Sequence, residues 1–276
     1  MSIIKSSGAG EVSTGFYNGV INQSLRFEDG DAAHLIRTPS SAGDRKTFTI
    51  SFWTKRANLS TPTPFLFDAN TEKSFLRFET DDTLRFSNEI GSSFTSTIVT
   101  NQVFRDVANW YHIVLAVDTT QSTASNRVKM YVNGDQITSF SSSDYPSQNE
   151  NTSFNNTVQH AIGRAIEYSR YYDGYMAEIN FIDGSVLTPS SFGETKNGVW
   201  IAKKYTGSYG TNGYRLTFAD SSSLGDDTSG NGNDYSSSGL ASTDVVLDSP
   251  ENTFCTINSM RESLVYNGSV SFSEGN

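Results

Sequence analysis

Asn109–Gly134 reads NWYHIVLAVDTTQSTASNRVKMYVNG, and it decides the fold class. Its apolar runs, Trp110–Asp118 and Arg127–Val132, read as two strands joined by a polar loop. Asn133-Gly134 then supplies the positive φ angles of a two-residue hairpin turn. A second segment, Asp173–Gly184 (DGYMAEINFIDG), alternates again. A period of two sets Tyr175, Ala177, Ile179 and Phe181 on one face, and Asp183-Gly184 closes the strand with the same turn chemistry.

Working outward, Asn22–Phe27 (NQSLRF) is the first strand expected. Lys46–Trp53 (KTFTISFW) points Phe48, Ile50 and Phe52 inward, Ser74–Phe86 forms a hairpin about Asp81-Asp82, and Tyr214–Phe218 is a further strand. Thr188–Glu194 is the one helix candidate, with Thr188 as cap and Pro189 at the first helical position. The expected organisation is an N-terminal arm (1–20), one β-sandwich (21–236) and a C-terminal extension (237–276). That extension ends on an alternating segment, as though a further β module began there. The expected core is Phe48, Ile50, Phe52, Trp110, Ile113, Leu115, Val117, Met130, Val132, Ile179 and Phe181, as two packed sheets demand.

Composition narrows the function classes. The 276 residues carry a net charge of −10, with 12% aromatic and 36% hydrophobic residues, enough for a substantial core. Basic residues are scattered, which excludes the clustered basic face of a nucleic-acid binder. No apolar run approaches the roughly 20 residues of a membrane span. The start, MSIIKSSGAGEVSTG, has no apolar core and reads as no secretory signal. Cys255 is the single cysteine, so no intrachain disulfide forms. Together these point to folding in a cytoplasm and export by another route, such as virion assembly.

The Trp-x-His strand, the strand ending in Asn-Gly, Ile162-Gly163 and the Gly-Tyr-x-x-Glu of Gly174–Glu178 resemble the laminin G-like, or concanavalin A-like, jelly roll. The segments Ser24–Leu35, VFRDVANWYHIVLAVDTTQ, VKMYVNGDQI, Tyr172–Glu194 and Gly198–Tyr235 further resemble virion proteins of marine tailed bacteriophages, of fibre or decoration type. That likeness runs from about Asn22 to Phe254. It implies an all-β, two-sheet antiparallel jelly-roll sandwich in a non-enzymatic structural component of a virion. It also implies other virion proteins as partners, a homo-oligomer with a trimer favoured, and contact with host surface polysaccharide. The alternative is a carbohydrate-binding lectin module, and a third reading is a glycosidase.

Catalysis finds little support in the residues. Jelly-roll glucanases set carboxylates at alternate positions of one strand, whereas Glu28-Asp29-Gly30-Asp31 and Glu79–Asp82 read as solvated turn acids. His112 follows Trp110 in an apolar strand and reads as a packed core histidine. His34 and His160 lack a partner motif, and Cys255 reads as a small buried hydrophobe. No cofactor is required. A structural calcium would be held by oxygen ligands of the Asp226, Asp227, Asn231, Asp234 run, with Asp173 and Asp183 as weaker candidates. The expected glycan or partner contact is the aromatic and cationic cluster Arg164, Tyr168, Arg170, Tyr171 and Tyr172. With a charge of −10, attraction to an anionic cell surface must come from short-range stacking and hydrogen bonds, not long-range steering.

Overall fold

The computed structural model describes residues 16–59 and 64–252. Two antiparallel eight-stranded sheets pack face to face. The first runs, edge to edge, β10 (Asp135–Gln136), β9 (Val128–Val132), β8 (Tyr111–Asp118), β3 (Thr47–Arg56), β13 (Gly174–Asp183), β1 (Ser24–Phe27) and β18 (Val245–Val246). β16 (Tyr214–Leu216) pairs with the far half of β13. The second runs β11 (Phe140–Asp144), β7 (Ser93–Val103), β6 (Thr83–Ile90), β5 (Ser74–Phe78), β4 (Phe65–Ala69), β12 (His160–Ile162), β2 (His34–Arg37) and β17 (Ser236–Ser238). A separate hairpin, β14 (Gly193–Lys196) with β15 (Val199–Ala202), lies on the outer face of the first sheet. The jelly-roll sandwich expected from the sequence is therefore the fold.

Alternation explains the core. Phe48, Ile50, Phe52, Ile113, Leu115, Val117, Met130, Ile179 and Phe181 fill the space between the sheets, with Val132 at its margin. Asn133 and Gly134 take φ of +48° and +92°, the left-handed pair that the β9–β10 turn requires. Trp110 departs from expectation: it is buried at 7% exposure, but on the outer face of the first sheet with Trp53, Ala177 and Ile21. β13 departs as well. Between Ala177 and Asn180 it carries one residue more than β3 opposite, and Glu178 sits at φ +47°. This bulge switches the phase of the strand. Met176 faces the core before it and Ile179 and Phe181 after it, while Tyr175 and Ala177 turn outward. The four residues read as one face thus divide between two.

His112 is the packed histidine the sequence implies. It is 1% exposed, beside Trp53 at 4.9 Å between ring centroids. Trp200 Nε1 can only donate, so its 3.0 Å bond to His112 Nδ1 leaves that nitrogen unprotonated, and Nε2–H donates to Ser51 Oγ at 2.9 Å. Burial lowers its pKa to about 3. His160, whose Nε2 accepts from Asn155 N, is lowered by burial to about 4. The unfolded chain takes up these protons first, so this stability is complete above about pH 6.5 and is lost as pH falls toward 3. For His112 the full loss is about 5 kcal/mol. Asp68 and Asp173, raised to about 7 and about 6, act with the opposite sign between pH 4 and 7. NMR of the imidazole nitrogens is expected to show His112 neutral and Nε2-protonated at pH 5; titration near pH 6 would contradict the packing.

The chain ends also differ from the expected divisions. Residues beyond 236 contribute Ser237 and Ser238 of β17 and all of β18, so they belong to both sheets. The described part of the arm packs on its own chain: the Phe16 carbonyl accepts from Lys196 Nζ, and Asn18 donates to Ala202 O. Residues 1–15 of the arm, Cys255 and the alternating segment after 252 lie outside the described residues. The helix candidate is one 3-10 turn, Pro189–Ser191, and Thr188 makes no side-chain cap. Gly193–Lys196 continues instead as β14, because its partner β15 covers the outer cluster.

Candidate functional site

The loop 164–171 connects β12 to β13 over the outer face of the second sheet. An Arg164–Tyr171 bridge closes it, with Ala165 N donating to Arg170 O at 2.9 Å. Asp68 anchors it from below, accepting from Ile166 N at 2.7 Å. Burial pushes that carboxyl up to about 7.

The predicted contact cluster divides here. Tyr168 is 48% exposed, with the Arg170 guanidinium 5.0 Å above its ring. Tyr171 is half-buried, 6.0 Å from the His34 ring. Arg164 donates to the carbonyls of Ala165 and Ile166, so it braces the loop. Tyr172 leaves the cluster altogether. It is fully buried, accepts from Thr54 Oγ1 at 2.6 Å, and donates to Lys55 O at 2.9 Å. In an extended chain neighbouring side chains point oppositely, so Tyr171 and Tyr172 could not both face outward.

What the cluster loses in Tyr172 it gains from the sheet below. Ala165 packs on Phe65 and Phe75, and Phe75 meets Phe94 at 5.9 Å. Arg77 lies 4.7 Å over Phe75, and Arg85 lies 5.0 Å over Phe94. Glu79 joins the two guanidiniums at 2.9 and 3.5 Å. At the turn end of the β6–β7 hairpin Phe94 and Ile90 are 50% and 51% exposed. Sequence reading saw Ser74–Phe86 only as a hairpin. The alternation of Phe75 with Arg77, opposite Arg85, was the available signal.

The calcium candidates part in a similar way. Asp227 accepts from Arg215 N, Ser229 N, Ser229 Oγ and Asn233 N, and Asp234 accepts from Asp227 N. Asn231 donates to the carbonyls of Gly210 and Gly213, while Asp226 faces solvent. This is an Asx-turn network in which the Asp227 oxygens already hold N–H and O–H donors, a poor fit for a cation. Asp183 is likewise engaged by Asp44 N, Asn155 Nδ2 and Asn212 N. Asp173 instead meets Glu28 and Asp29, the three offering oxygens within 4.8 Å of one another. Burial first, then the charges of Glu28 and Asp29, raises Asp173 to about 6. Donors engage two of the three as well, since Glu28 pairs with Arg26 at 2.8 Å and Asp173 accepts from Asn58 Nδ2.

Sheets, register and surface together define a sandwich of lectin type. Residues 29–192 match a laminin G-type family model described as the concanavalin A-like lectin/glucanases superfamily. The chain belongs to this superfamily. Among solved structures it is similar to a heptameric SAP-like pentraxin from Limulus polyphemus, at 14% identity and TM-score 0.44, covering 60% of this chain and 78% of that one. It is also similar to domains LG4-5 of the mouse laminin α1 chain, at 13% identity and TM-score 0.41, covering 67% of this chain and 47% of that one. Domain 4 of the arabinanase AbnA from Geobacillus stearothermophilus aligns at 17% identity and TM-score 0.38, covering 57% of this chain and 69% of that one. At these identities the likeness concerns the fold. A search of the curated proteins found no match.

Proposed function

We propose that this chain is a non-enzymatic structural component of a bacteriophage virion, of fibre, tail or decoration type, whose sandwich offers a lectin-like contact surface to host polysaccharide. The observation that carries the contact surface is the aromatic–arginine face of the second sheet, open at Phe94, Ile90 and Tyr168. The two half-exposed rings, Phe94 and Tyr168, each with a guanidinium 5.0 Å from its centroid, suit a partner that stacks apolar C–H faces and accepts hydrogen bonds. A net charge of −10 makes such short-range contact the available mode of attachment. The virion assignment, the homo-oligomer and the contacts with other virion proteins rest on the resemblance of the segments quoted above. Glu79 is tied between two arginines and Asp68 lies under the loop, which supports binding over catalysis at this face. A free-standing carbohydrate-binding lectin module would use the same rings. Any calcium that takes part would sit at Glu28, Asp29 and Asp173.

The test is host-cell adsorption and glycan-array binding by the Phe94→Ala/Tyr168→Ala double variant. Both are expected to fall at least about tenfold, with stability within roughly 1 kcal/mol, as for surface changes. Loss of binding in chelator would bring calcium into the contact. Unchanged adsorption would remove the face from the function, and reducing ends released from a polysaccharide panel would replace binding with hydrolysis.

A further inference from the structure

The chain has three tryptophans, and all of them gather on the outer face of the first sheet, opposite the surface just described. Trp53 and Trp110, 5% and 7% exposed, floor an open cleft of about 690 Å³. Trp200 and Val199 of β15 form one wall, and the Asn133–Asp135 turn forms another. Trp200 is held in place by its neighbours. His112 takes its N–H, and a Cβ built on Gly134 or Gly193 would come within 2.7 or 2.4 Å of its ring. These two glycines make room for the indole. Val199 is 46% exposed at the lip.

The polar lining is specific in what it leaves available. Asn133 uses Oδ1 to accept from His112 N at 2.8 Å, so its side-chain N–H groups remain. Asp135 and Thr195 are exposed, and among the described residues their side chains have no hydrogen-bond partner. Asp106 is satisfied by its own turn through Ala108 N and Asn109 N. Among the described residues no lysine or arginine lines the cleft.

We infer that this cleft is a second binding site, for one unit of a neutral saccharide. A pyranose presents an apolar C–H face to the Trp200 indole, its hydroxyls donate to the Asp135 carboxylate, and its oxygens accept from Asn133 Nδ2. An anionic sugar meets two aspartates and no cation. An ammonium ligand would need rings around it, whereas two of the three indoles are already buried. The volume lies within the range of roughly 300–1,000 Å³ common for small-molecule sites.

Because every tryptophan borders this cleft, intrinsic fluorescence of the full chain reports on it alone. Titration with neutral glucose-, galactose- and mannose-based di- and trisaccharides is expected to give a saturable change in emission. Asp135→Ala should raise Kd at least about tenfold with an unchanged melting temperature, since Asp135 is exposed and unpaired. Thr195→Ala serves as a second variant that leaves the sheet untouched. The Phe94→Ala/Tyr168→Ala variant should titrate as the parent does, which separates this site from the other face. No saturable change up to about 10 mM sugar, the same Kd in Asp135→Ala, or a response only to apolar lysine-containing peptides would each overturn the inference.

Discussion

Replacing Arg56 by alanine is expected to cost about 3–5 kcal/mol, the usual loss when one partner of a buried ion pair is removed. Arg56 ends β3 and points inward at 1% exposure, its guanidinium 4.4 Å over Phe78. Nη1 donates to Phe104 O at 2.7 Å, and Nη2 lies 3.0 Å from Asp82, also 1% exposed. Asp82 belongs to the β5–β6 turn, so the pair ties one sheet to the other at one end of the sandwich. The sequence presents Asp82 as a solvated turn acid; the structure buries it. Arg105 also reaches Asp82 at 2.9 Å but is 58% exposed, and Arg105→Ala should cost under about 1 kcal/mol. Thermal melts should place Arg56→Ala roughly 6–20 °C below the parent, at about 2–4 °C per kcal/mol. Pairing Arg56→Met with Asp82→Asn should recover part of the loss, because asparagine tolerates the φ of +68° and carries no charge. A fall of only 1–2 °C for Arg56→Ala would mean that water reaches Asp82.

Tyr172→Ala should be comparably severe, at about 3–5 kcal/mol, as for emptying a large aromatic site. The ring packs against Phe27 at 6.1 Å, and its hydroxyl joins Thr54 to the Lys55 carbonyl. Tyr172→Phe isolates the hydroxyl and should cost about 1–3 kcal/mol by leaving the Lys55 carbonyl without that donor. Tyr168→Ala, four residues earlier and half exposed, should leave the melting temperature nearly unchanged. A melt in which Tyr172→Ala resembles Tyr168→Ala would return both tyrosines to the surface, as the sequence suggested.

That contrast shows where sequence reading reached and where it stopped. The β3 strand was legible because Phe48, Ile50 and Phe52 keep a period of two, and β8 and β9 because their short apolar runs are bounded by polar turn residues. The Asn133-Gly134 turn was legible because few residue pairs tolerate two positive φ angles. Tyr172 was misassigned because the cluster of tyrosines and arginines was read as composition. Their alternation, carried back from β13, is hidden by the bulge at Glu178. One extra residue there reverses inside and outside, and nothing in MAEIN announces it. The proposed contact face escaped for a different reason: Phe75, Phe94, Arg77 and Arg85 come from three strands, and only pairing sets them side by side.

The sequence by itself determined the all-β class, the strands that carry the core, the acidic charge and the lack of an apolar run long enough for a spanning helix, since each depends on local periodicity or composition. Tertiary structure alone decided which tyrosines face solvent, which carboxylates converge and that three distant tryptophans share one cleft. Those outcomes depend on strand register, on one bulge and on a hairpin folded back over the sheet. Such features arise from contacts between residues far apart in the chain, where local pattern carries no information.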